Sequence, residues 1–176
     1  MSNIFNEYYI VNKKYNNVDF VISYDDERDF DITSGCTLSS FFPVNFSCLE
    51  FPTRKERTEN IDVYVSCEIL FSKEYISAFG KCPLYKTSLL PASINNEIGY
   101  FYLHCENHID ILKGDKMDFS ILADIPLHKR TLFRPSEDAM IYLFHASLVE
   151  EIGKVGHLKY SNVIPVGDSS IERMLS

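Results

Sequence analysis

Two stretches of the chain, Ile69-Leu70-Phe71-Ser72-Lys73-Glu74-Tyr75-Ile76-Ser77-Ala78-Phe79-Gly80-Lys81 and Tyr142-Leu143-Phe144-His145-Ala146-Ser147-Leu148-Val149-Glu150-Glu151-Ile152-Gly153-Lys154, share one design. At an offset of 73 residues, Leu70, Phe71, Gly80 and Lys81 meet Leu143, Phe144, Gly153 and Lys154. In each stretch a β-type run leads into a short helical segment with one apolar face. That face is Tyr75, Ile76 and Phe79 in the first and Leu148, Val149 and Ile152 in the second. Ser72 suits an N-cap, Glu74 a first turn, and Gly80 and Gly153 a helix stop. Beyond the glycine, Lys86 and Ser88 meet Lys159 and Ser161, and Pro91 meets Pro165 after one inserted residue. A helix this short is marginal in isolation and needs a sheet to pack on. The class expected is therefore α+β: an antiparallel or mixed β-sheet carrying short helices. It would contain two strand–helix–strand units, related by duplication or by recurrence of a common pattern.

Working outward, the 176 residues suit a single domain over 1–176, with an N-terminal β part to about residue 60 and the repeat-like part over about 61–176. Glu7–Val11 and Val18–Ile22 are rich in aromatic and β-branched residues, and Asn16-Asn17 between them predicts a hairpin. The polar run Thr53–Asn60 marks the boundary. Strands are predicted over Ile61–Phe71, Leu84–Ile94 (with Pro91 at its end or at a sheet edge), Tyr100–Cys105, Arg130–Arg134, Ala139–Phe144 and Leu158–Val166. A turn is predicted at 113–118, a helix from about His145 to Ile152, and a capping box at Ser169-x-x-Glu172.

Seventeen basic residues stand against 25 acidic ones, a net charge of −8. Nucleic-acid binding draws on neutralised phosphates, so this balance argues against it and against an anionic membrane surface. It suits a basic protein partner. The densest acidic run, Asp25, Asp26, Glu27, Asp29 and Asp31, reads as a solvated loop or as a surface engaging a partner's lysines and arginines. It lacks the glycine of a calcium loop. The opening MSNIFNEYYIVNKK has no basic region followed by an apolar stretch, so no secretory leader is expected. The five irregularly spaced cysteines are then expected to be reduced in a cytoplasmic protein.

Motifs of nucleophilic catalysis (GxSxG, SxxK, HExxH) do not occur, and the seven glycines are scattered rather than gathered into a phosphate loop. The one local cluster with ligand chemistry is His104-Cys105-Glu106-Asn107-His108. Two histidines four apart could share a metal on one face of a helix or of a strand, but the strand-like run before them and Asn107 between them speak for polar edge residues.

The C-terminal half resembles a family of immunity proteins from bacterial polymorphic toxin systems. Tyr100-Phe101-Tyr102-Leu103 followed by Ile109-Asp110-Ile111-Leu112 is similar to that family's aromatic strand and "I-D-x-L" element. Leu132-Phe133-Arg134 is similar to its "hydrophobic-Phe-Arg" strand, Ile141–Ile152 to its strand leading into a short helix, and Gly156 with Val163-Ile164-Pro165-Val166 to its closing strand. The resemblance spans roughly residues 63–166, and Tyr8-Tyr9-Ile10 adds an opening strand. One departure is His145, where the family tends to place a serine cap. The resemblance implies a non-enzymatic inhibitor that binds and neutralises a cognate toxin in the cytoplasm, with no catalytic residue, cofactor or metal. The partner would be that toxin, a basic one if it is a nuclease. The partner-binding residues singled out by charge are Asp25, Asp26, Glu27, Asp29 and Asp31. The rival readings are a small enzyme or metal-binding domain using His104, His108 and Cys105, and a general protein-interaction domain. The sequence leaves self-association open.

Overall fold

The computed structural model describes residues 4–13, 20–25, 43–50, 62–65, 68–114, 116–158 and 161–167. The architecture is α+β, with antiparallel and mixed sheets and a few short helices. The large sheet is built from β2 (Phe20–Tyr24), β3 (Val44–Glu50), β4 (Val63–Val65), β5 (Ile69–Ser72), β6 (Thr87–Ile94) and β7 (Glu97–Cys105), in the order β2-β3-β6-β7-β5-β4. Among its described strands only β3 and β6 run parallel. The smaller sheet takes the order β10-β11-β1-β12, from β1 (Tyr8–Lys13), β10 (Leu132–Phe133), β11 (Leu143–His145) and β12 (Ser161–Pro165). A two-residue ribbon, β8 (Leu112–Lys113) with β9 (Lys116–Met117), closes around Gly114, which has φ +60°. Glycine is the residue that tolerates that conformation. The predicted turn at 113–118 is this ribbon.

The helices are α1 (Ile76–Gly80), preceded by a 3-10 turn over Lys73–Tyr75, then α2 (Leu127–Arg130) and α3 (Ala146–Val155). Helices α1 and α3 pack against each other. Their buried faces, Tyr75, Ala78 and Phe79 with Leu148 and Ile152, join Phe71, Phe101, Leu103 and Phe144 in the central core. The far face of the small sheet is covered by the segment holding Ile111, Phe119 and Leu122. Asn107, buried beyond the end of β7, donates from Nδ2 to the carbonyls of Lys129 and Leu132 at 2.8 Å each. It thereby joins the large sheet to the α2–β10 segment. Among the described residues no helix is long and apolar enough to cross a membrane.

The sequence echo reappears as matching sheet topology. In the large sheet β4, β5, β7 and β6 lie side by side; in the small sheet β10, β11, β1 and β12 do. In both, the second strand leads into a helix, the third is antiparallel to its two neighbours, and the fourth follows the helix in sequence. The registers agree. Phe71 faces Phe101, which faces Pro91; Phe144 faces Tyr9, which faces Pro165. Leu70 faces Tyr64 and Leu143 faces Phe133. The backbone bonds from Ser72 N–H to Asp62 O (2.8 Å) and from His145 N–H to Thr131 O (2.9 Å) also correspond. Phe71 and Phe144 contact one another, with ring centroids 6.5 Å apart, as residues astride a local twofold would. Lys81 and Lys154, equivalent by the same offset, both pair with Glu151 at the junction of α1 and α3.

The central strand is where the two units differ in connectivity. The first takes β7, reached by the hairpin after β6; the second takes β1, from the start of the chain. This corrects the hairpin expected around Asn16-Asn17: the two N-terminal strands lie in different sheets, β1 paired with β11 and β12, and β2 paired with β3. Asn16 and Asn17 lie outside the described residues, as does the capping box at Ser169 and Glu172. The stop expected at Gly153 is also corrected. Helix α3 runs through it to Val155 and ends at Gly156 in an extended conformation. An interior glycine costs a helix only about 1 kcal/mol, less than the seating of Leu148 and Ile152 in the core supplies. Pro91 is accommodated because β3 pairs with β6 from Ala92 onward, so among the described residues no strand faces the proline on that side of β6.

Candidate functional site

The two equivalent strand-to-helix junctions differ in how they are filled. In the small sheet, β11 ends at His145, whose Nδ1 accepts the N–H of Ser147 at 3.1 Å and so caps α3. Thus the expected departure from a serine cap places an imidazole in the same capping role. Opposite His145 stands Tyr8 at the start of β1, and the chain before it folds into a 3-10 turn, Ile4–Glu7. The Glu7 carboxylate lies 3.5 Å from His145 Nε2 and 3.7 Å from Arg130 Nη1. Arg130 also donates to the Tyr8 hydroxyl at 2.8 Å and from Nε to the Ile125 carbonyl at 2.9 Å. Burial holds the His145 pKa below its usual value against the opposing pull of Glu7, and burial raises that of Tyr8. This junction is closed by a guanidinium of the chain's own.

In the large sheet the same junction is open among the described residues. β5 ends at Ser72 opposite Tyr100, and the chain turns away into the 3-10 turn. β7 reaches further: Glu97 and Ile98 are paired with β6 alone among the described residues, and Gly99 stands at the bulge where the register shifts. The turn before them, Asn95-Asn96, has positive φ at both positions, a pattern asparagine tolerates in tight hairpins. Asn95 is held by the neighbouring strand, its Oδ1 accepting the Cys48 N–H at 2.9 Å. Beside Glu97–Gly99 lies a cleft of about 470 Å³, whose wall includes Asp62, Ser72, Glu74, Glu97, Ile98 and Tyr100. Its wall carries three carboxylates and one base, Lys73. Ile98 is 81% exposed. Glu74 is hydrogen-bonded by the Ser72 hydroxyl, which lowers its pKa and keeps it a carboxylate.

Of the residues singled out by charge, Asp25 is exposed at the end of β2, its N–H bonded to Asn45 O at 3.0 Å. It shares a cross-strand row with Asn45, Ser93 and Ile98, three strand spacings or about 14 Å from Ile98. It therefore stands at the same end of the sheet as the cleft. Asp26, Glu27, Asp29 and Asp31 lie outside the described residues. Asp62, Glu74 and Glu97 were not visible as a group in the sequence, because they are far apart along the chain and only the register brings them together.

His104 and Cys105 are buried at the end of β7, with the Thr87 hydroxyl donating to Cys105 Sγ at 3.3 Å. Burial raises the Cys105 pKa, so the thiol form is favoured. His108 is exposed and bridges to Arg134 through the backbone. Among the described residues no group of three or more His, Cys, Asp or Glu is placed to hold a metal ion. No protein-family model matches the chain, and a search of curated proteins finds no match.

Proposed function

We propose that this chain is an immunity protein: a non-enzymatic inhibitor that binds a cognate bacterial toxin in the producing cell's cytoplasm. The resemblance over residues 63–166 suggests the class of function. The observation that carries the binding mode is the acidic cleft at the open junction, with Ile98 projecting beside it. An exposed apolar side chain beside a net acidic cleft is the composition of a protein-docking surface for a basic partner. The net charge of −8 steers such a partner's approach.

The test is growth rescue. The product of the adjacent gene is expressed from a tight inducible promoter, with and without this protein. Killing that the protein relieves supports the reading. Killing that persists despite abundant folded protein, or a neighbour that does not kill, sinks it for that pair.

A further inference from the structure

We propose that the closed junction is a pH-operated latch on β1: protonation of His145 loosens the strand at the centre of the small sheet and leaves the large sheet in place. β1 pairs with β11 on one side and β12 on the other, and both partners lie far along the chain. β7, its counterpart in the large sheet, is instead held to β6 by the tight turn at Asn95-Asn96. Register and side-chain contacts, not a short connection, therefore keep β1 in its sheet. At its start Tyr8 is fully buried. The Tyr8 ring stands edge-on to His145, with centroids 5.4 Å apart at 74°, and its hydroxyl accepts from Arg130 at 2.8 Å. Glu7, just before it, shares its carboxylate between His145 Nε2 and Arg130 Nη1, at 3.5 and 3.7 Å.

His145 thus touches the N-terminal turn, β1 and α3 at once. Its Nδ1 accepts the Ser147 N–H at 3.1 Å, so the neutral ring carries its proton on Nε2, toward Glu7. A proton added at Nδ1 turns that acceptor into a donor facing a donor, and the α3 cap is lost. It also sets a second cation beside Arg130, with the Glu7 carboxylate to share. The groups facing the ring are Glu7 on the N-terminal turn, Tyr8 on β1, Arg130 on α2 and Ser147 on α3. Of these only Glu7 favours the charged ring, and burial outweighs it, so the folded-state pKa is lowered. When β1 and the turn before it move away, water reaches the ring and the penalty is relieved. The released state then binds more protons between the two pKa values, and acid favours it. Below about pH 6.5 the opening constant rises by up to about tenfold per pH unit, until the folded-state pKa is reached.

Amide hydrogen exchange of the full-length protein, followed residue by residue by NMR at pH 7.5 and 5.5 and corrected for the intrinsic pH dependence of exchange, tests this. Protection in β1 and β12 is expected to fall by up to about tenfold on acidification, relative to β6 and β7. His145→Asn, which keeps a capping acceptor but does not titrate, should abolish that selective fall. An equal fall in both sheets, no fall in the parent, or a selective fall that His145→Asn retains overturns the latch. Glu7→Gln supplies a second test that holds even if His145→Asn does not fold. It removes the group that favours the charged ring, so the midpoint of the His145 imidazole resonances should move to lower pH. An unchanged or higher midpoint, or a parent ring protonated at Nδ1 at pH 7.5, overturns the latch as well.

Discussion

The β5–α1 and β11–α3 junctions are built alike and filled differently. Both place a tyrosine of the central strand opposite the last residue before a helix, and both pack that tyrosine edge-on against an aromatic of the outermost strand. At the β11 junction the chain brings its own arginine, and the helix after it runs ten residues; at the β5 junction the described lining holds Lys73 and no arginine, and α1 runs five. The difference separates two uses of one architecture. The closed junction knits the N-terminal strand, α2 and α3 together, and its polar groups satisfy one another. At the open junction Glu74 and Glu97 are exposed, where a carboxylate costs little stability.

The largest expected effect tests the likeness itself. Phe71 and Phe144 are fully buried, equivalent and in contact. Truncation to alanine removes a whole ring from a packed core, so Phe71→Ala and Phe144→Ala should each destabilise by about 3–5 kcal/mol. Urea denaturation would measure both. If one costs less than half of the other, the two positions do not carry equivalent parts of the core.

Next is the contrast between the junctions. Arg130→Ala leaves Glu7 without its cation and strips the Tyr8 hydroxyl of a donor, which should cost about 2–4 kcal/mol for a partly buried network. Glu97→Ala in the open junction should change stability by less than about 0.5 kcal/mol. Comparable losses at the two sites would mean that the open cleft is structural after all. A small loss at Arg130 would mean that the closed junction is held by packing alone.

The echo at 73 residues, slipping to 74 by Pro165, was legible because it is local. Each unit is a strand, a helix and a strand written consecutively, and the paired prolines and glycines punctuate it. The identity of the central strand was not legible. β1 finds its neighbours more than 130 residues away, and nothing in Tyr8–Lys13 distinguishes that partnership from a local hairpin with β2. The 3-10 turn Phe119–Asp124 and helix α2 also escaped the reading, being short, of mixed period and stabilised by tertiary contacts. Asp118 caps that 3-10 turn by accepting the Ser120 N–H, a local signal that was available. The cleft was hidden for the same reason as β1: its acids come from three elements, whereas the sequence draws attention to the dense run at 25–31. Of that run, Asp25 at least is placed at the same end of the sheet.

A smaller effect separates the two helix caps. His145 caps α3 through an imidazole nitrogen, while Ser72 makes no side-chain cap bond to the backbone and bonds Glu74 instead. Replacing His145 by alanine should cost about 1 kcal/mol, and replacing Ser72 by alanine a few tenths. The histidine cap also carries a pH dependence that the serine lacks. Its folded-state pKa is lowered, chiefly by burial, so between the folded and unfolded values the unfolded chain binds more protons. Its contribution is complete above the unfolded value, about 6.5, and is lost as pH falls through the folded one. Thermal melts from pH 7.5 downward should show a decline that His145→Asn, which can still cap, reduces. An equal decline in the variant would assign the pH dependence to other groups.

The smallest expected effect concerns the two glycines. Gly80 is the last residue of α1, while its counterpart Gly153 sits inside α3 with two more helical residues after it. A Cβ added at either position meets no atom within 4 Å. At Gly153, alanine fits the helical backbone and restricts the unfolded chain, so Gly153→Ala should stabilise by about 0.5–1 kcal/mol. At Gly80 the helix ends in the next residue, so less of that gain is available. A midpoint shift for Gly153→Ala larger than that for Gly80→Ala would confirm that α3 has outgrown the stop it shares with α1. Equal shifts would mean that Gly153 ends the ordered part of α3 in solution, and that Lys154 reaches Glu151 from a frayed turn.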